Sequence, residues 1–179
     1  MPRVKKHTRK KRANNNSIKN ITKWKQGILA NIVEDDELSK LLYYNKPDAL
    51  SKKSLTIEQK ESLVNDNVMG YRFIPTIADE ARSWISISTS RFIPQEGFRQ
   101  FSDDYLMGYI YFYILVDTSI METETGYRQD LIAERIHHIF QESRDFGIGE
   151  LRLEHFIESW EHNNKFGGYT MGFRTVDFK

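Results

Sequence analysis

Pro47-Asp48 followed by Glu58-Gln59-Lys60 supplies the residue types of a proline–aspartate, glutamate-x-lysine nuclease. Such a site needs its second pair on a strand beside the first acid, so that the carboxylates share a divalent cation. Thr56 with Gln59 three residues on is a capping box, which places Glu58 and Lys60 in a polar helix, and the match reads as coincidence. Glu134 and His137 form an E-x-x-H step. Carboxylate-bridged di-metal sites use two such steps and two further Glu residues in a four-helix bundle, and this chain has one step. His137, His138, His155 and His162 are scattered over a helix, a strand and a loop, and do not make the three or four ligands that zinc takes. No phosphate-binding glycine loop, dinucleotide fingerprint, zinc-protease motif or nucleophile elbow is present, and no serine has a visible base. The expectation is therefore a protein without catalytic, cofactor or metal residues.

The charge pattern is more informative. Residues 1–25 hold Arg3, Lys5, Lys6, Arg9, Lys10, Lys11, Arg12, Lys19, Lys23 and Lys25 and no acid. Of 26 Lys+Arg and 25 Asp+Glu in the chain, 16 cations and 25 acids remain beyond residue 25, a net of −9. A basic arm is thus attached to an acidic body, and the arm calls for phosphate or an acidic protein surface. Arg3, Lys5, Lys6, Arg9, Lys10, Lys11 and Arg12 are the candidate contacts with DNA or a partner subunit. Trp24 is the one aromatic residue among residues 1–25 and fits a helix stripe better, so contact with nucleic acid would be sequence-independent and salt-sensitive. Cysteine is absent, which rules out disulfides and thiolate chemistry. No apolar run approaches the roughly 18 residues of a membrane span, and no secretory signal follows the basic start. A reducing, cytoplasmic site of synthesis is the default.

These charges need elements to hold them. Residues 1–16 read as a flexible arm, and residues 17–179 as a single domain. Ile18, Ile21, Trp24, Ile28, Leu29, Ile32 and Val33 repeat at helical spacing, continued by Leu38, Leu41 and Leu42, with Gly27 and the acids 34–37 as possible dividers. Pro47 closes this region, and a short helix is expected at about 57–65. Strands are expected at 68–74, 83–92 and 105–116, the last apolar at both parities and so a central strand covered on both faces. A helix follows at about 127–142, with Arg128, Glu134, Arg135 and Glu142 facing out. Two final strands, 151–160 and 169–178, flank a long loop over 161–168. This order predicts an α+β fold: a mainly antiparallel sheet of four to five strands with one helix packed on a face, preceded by N-terminal helices.

Several patches, taken in order, carry a family resemblance. They are Leu38-Ser39-Lys40-Leu41-Leu42-Tyr43-Tyr44-Asn45-Lys46-Pro47-Asp48-Ala49-Leu50, Leu55-Thr56-Ile57-Glu58-Gln59-Lys60, Tyr127-Arg128-Gln129-Asp130-Leu131-Ile132-Ala133-Glu134-Arg135-Ile136, Gly147-Ile148-Gly149-Glu150-Leu151, and Lys165-Phe166-Gly167-Gly168-Tyr169. Over residues 36–178 the chain resembles the tail-terminator, or tail-completion, proteins of the head–tail neck of tailed bacteriophages. The resemblance implies a structural virion subunit that forms a ring, six-fold in type, on the tail tube. Such a ring stops tail growth and joins tail to head, with other neck and tube proteins as neighbours. It implies no enzyme activity and no cofactor. The basic arm lies outside it, and a stand-alone, sequence-independent nucleic-acid-binding protein is the alternative. An acidic body would suit a channel wall along which DNA slides.

Overall fold

The computed structural model describes residues 17–77, 80–94, 105–147 and 149–178. The first apolar stripe forms helix α1 (Ser17–Glu34), which buries Trp24, Ile28 and Ile32. The helix runs through Gly27, and the break falls at Asp35. There the extended backbone and the side chain, accepting from Leu38 N at 2.8 Å, start α2 (Asp36–Tyr43). Asp36 and Glu37 then meet the positive end of its dipole. Helix α3 (Ile57–Ser62) opens with the expected capping box: Gln59 N donates to Thr56 Oγ1, and Thr56 N to Gln59 Oε1.

The sheet comprises β1 (Val68–Met69), β2 (Ser83–Pro94), β3 (Tyr105–Asp117), β6 (Arg152–Glu161) and β7 (Phe166–Phe178), in the order β1-β2-β3-β7-β6. The short pair β4 (Glu122–Thr123) and β5 (Gly126–Tyr127), which the sequence reading did not foresee, leads into helix α4 (Arg128–Phe140). All the large pairings are antiparallel, and β1 alone joins in parallel, to β2. The fold is α+β with a five-stranded mixed sheet, as expected, and β3 is its middle strand.

One face of the sheet carries the core. Ile85 and Ile87 of β2, Ile110, Phe112 and Ile114 of β3, and Met171 and Phe173 of β7 meet Trp24, Ile28, Leu41, Ile132, Ile136 and Phe140 from the helices. The expected single covering helix is therefore a layer of three, because α1 and α2 join α4 in contacting this core. Phe140 is the hinge of the packing, with its ring 4.7 Å from Phe112 and 5.9 Å from Phe146.

Four local expectations fail, each for a physical reason. Residues 68–74 do not make a strand beyond Met69. The chain leaves the sheet edge at Gly70 and straps across the opposite face. Phe73 O accepts from Ser86 Oγ at 3.3 Å, and Pro75 O lies 2.8 Å from His162 Nε2. The strap and a small cluster of Met69, Trp84, Leu115 and Phe166 cover one end of that face. At the other end Tyr109 and Tyr111 stay half-exposed, so β3 is not sealed on both sides. The 161–168 loop is a tight turn, because His162, Asn163 and Asn164 all take left-handed backbone, which Asn tolerates, and Phe166 already belongs to β7. Arg128, expected in solvent, is fully buried.

Candidate interaction surface

Arg128 explains how α4 is held. Its Nε donates to Ile120 O, its Nη1 to Leu41 O and Tyr44 O, and its Nη2 to Lys46 O, each at 2.8 Å. The guanidinium thus satisfies the carbonyls left over where α2 ends, the negative end of that helix. Among the described residues no carboxylate pairs with it, and burial pushes its pKa below the ordinary arginine value. A second tie is Arg135, which grips the Asp35 carboxylate with Nε and Nη2 and reaches Glu37 at 3.4 Å. These two arginines fix α4 against α2 and so over the sheet.

Held in this way, α4 packs chiefly over β3 and β7, with β6 beside it. β6 is the last strand of the sheet, and its outer edge has no neighbour among the described residues. Phe156 is 53% exposed, Ile157 58% and Trp160 47%, a large apolar surface for one edge strand. The pairing register puts Phe156 and Trp160 on the helix side and Ile157 on the opposite side. Between α4 and β6 runs a groove of about 370 Å³, walled by Ala133, Leu153, Phe156, Tyr169 and Met171. Phe156 stacks on Tyr169 with ring centroids 4.5 Å apart. Asp130 and Glu134 rim the groove, and Glu158 accepts from Trp160 Nε1 at 2.9 Å just beyond it. Tyr169 donates its hydroxyl to Asp130 Oδ1 at 2.7 Å, and that bond, with burial, pushes its pKa up to about 12.

The opposite edge differs. β1 pairs with β2 only at Ile85 and Ser86, so residues 87–94 have no further strand on that side among the described residues. The two edges of the sheet are thus unlike: one long, apolar and acidic, the other flanked by a two-residue strand.

The residues weighed for chemistry have separate partners. Asp48 pairs with Lys52, which lowers its pKa. Glu58 sits in the first turn of α3, where its own backbone N–H and the Thr56 hydroxyl lower its pKa. Lys60 donates to Glu34 O at 2.8 Å. The nuclease pattern therefore lies on a helix and not on a strand. His155 stacks beside Tyr109 and Tyr111, His162 serves the turn, and His137 and His138 are exposed. Among the described residues no three His, Asp or Glu come together as a metal site, and no helix is long and apolar enough to cross a membrane. Arg3, Lys5, Lys6, Arg9, Lys10, Lys11 and Arg12 lie outside the described residues. Sequence reading missed the α4–β6 groove and Arg128. The groove's signal was Phe156-Ile157, two adjacent apolar residues on a strand with half of its other positions charged.

A family model described as YomW matches residues 35–175, more than three quarters of the chain. The chain belongs to the YomW family. The family carries the name of a phage-derived gene, which makes this a phage-associated protein. The match begins at the Asp35 cap and ends in β7, so it takes in the sheet, α4 and both arginine ties, and leaves out α1 and the basic arm. No curated protein and no solved structure matches the chain.

Proposed function

We propose that this chain is a structural subunit of the phage head–tail neck that assembles as a ring, terminates the tail tube and joins the tail to the head. It works by shape and charge, with no bond made or broken, among neck and tube proteins in the virion, after synthesis in the host cytoplasm. The observation that carries this reading is the pair of unlike sheet edges. A head-to-tail ring needs two different complementary faces on each subunit. β6 runs antiparallel to β7, β7 to β3, and β3 to β2. The β6 edge of one copy beside the β2 edge of the next would therefore continue the antiparallel alternation, a cheap route to a closed assembly. Membership of a phage family supports the same reading.

Sizing of the full chain by light scattering tests it. The ring reading expects a multimer of defined mass, broken by Ile157→Lys, which puts a charge on the exposed apolar side chain of the outer strand. A monomer at every concentration contradicts it. The charge split favours a second reading, a stand-alone nucleic-acid-binding protein that uses residues 1–25 to anchor an acidic domain. That reading expects a monomer or dimer whose DNA retention falls steeply with salt.

A further inference from the structure

We propose that the groove between α4 and β6 is the receptor for the chain's own basic arm, residues 1–16.

The groove combines two features that recognise Lys and Arg. Its floor is apolar and aromatic, with Phe156 and Tyr169 stacked and partly open to solvent. Its rim is acidic, with Asp130 and Glu134 on α4, and among the described residues His137 but no Lys or Arg lines it; Glu158 on β6 lies just beyond. Long basic side chains lay their methylene stems on apolar surface and keep the charged head at the rim. An aromatic face adds cation–π attraction. A wholly apolar ligand would leave the rim unanswered, and a phosphate would be repelled by it.

The arm supplies the complement. Arg3, Lys5, Lys6, Arg9, Lys10, Lys11 and Arg12 are seven cations without an acid, while the rest of the chain beyond residue 25 is strongly acidic. Its point of departure is also suitable. α1 begins at Ser17, and its first turns, at Asn20, Lys23 and Trp24, face Asp145, Phe146 and Gly147. Those residues belong to the connection from α4 to β6, which is the His137–Leu153 end of the groove. From Asp130 to His137 the groove follows α4 for only about 10 Å. Sixteen extended residues reach at most about 55 Å, enough to traverse the groove of the same copy or of a neighbour. The contact requires no ring.

Photo-crosslinking in the full chain tests this. Phe156→p-benzoylphenylalanine puts the probe on the groove floor, and the same probe at Trp160 serves as a second position if the first variant folds poorly. The first acid of the sequence is Glu34, so cleavage after Glu releases residues 1–34 as one fragment. The expected result is a link from the probe into residues 1–16. Its yield should drop about tenfold at high salt and in the Asp130→Lys/Glu134→Lys double variant. Links only to other segments, no links from either probe, or a yield indifferent to salt and to the double variant would overturn the proposal. So would arm-dependent DNA retention without any arm–groove link, which would assign the arm to nucleic acid. Light scattering on the same sample reads the ring separately.

Discussion

Replacing Arg128 by Met would leave Ile120 O, Leu41 O, Tyr44 O and Lys46 O without their buried donor. The expected loss is about 3 kcal/mol or more, read as a lower urea midpoint at unchanged slope. Arg128→Lys should restore little, because one ammonium cannot fork toward four carbonyls. Near-native stability in either variant would remove Arg128 from the account. Tyr169 offers a test at the groove itself. Because its folded pKa of about 12 lies above the ordinary tyrosine value, its contribution to stability is complete below pH about 10 and is lost as pH rises through the folded value. Spectrophotometric titration should show a late phenol step near pH 12. Tyr169→Phe should abolish that step, and Asp130→Asn should bring it down. A step unmoved by Asp130→Asn would mean that the bond to Asp130 is not its cause.

The elements that align these residues depend on a few local devices. Asp35 both caps α2 and receives Arg135, so Asp35→Ala should cost about 2 kcal/mol in thermal or urea unfolding, the upper end for a cap. Gly168 lies where β7 passes β3, and a Cβ there would stand 2.1 Å from Ile114 O. Because that neighbour is backbone, Gly168→Ala should destabilise by about 1–3 kcal/mol, and a neutral result would show that the two strands can part. Much of this was legible beforehand. The Trp24–Ile28–Ile32 stripe, the Thr56–Gln59 box and the Ile85/Ile87 alternation are local signals, and they gave α1, α3 and β2. Two errors share a cause. Arg128 read as surface because arginine usually is, and its burial depends on carbonyls 82 to 87 residues away. The tyrosines of β3 read as sealed because their spacing shows apolar character but not which layer covers them. The groove left only a local trace in Phe156-Ile157, since its shape is set by the packing of α4 over β3 and β7.

At the scale of the whole molecule, an acidic body presents two unlike sheet edges and an apolar, acid-rimmed groove, and it carries a basic arm. In a phage protein this combination favours a subunit that fits against copies of itself and against fellow virion components. Arm and edge are separable parts. Ile157→Lys should reduce assembly mass and leave the arm–groove link intact, while Asp130→Lys/Glu134→Lys should do the reverse. The most direct measurement is electron microscopy of purified phage particles with this protein labelled, alongside the purified full chain. The account predicts label at the head–tail neck and discrete rings in the pure protein. Particles without label, together with a pure protein that remains a single subunit at high concentration, would contradict it.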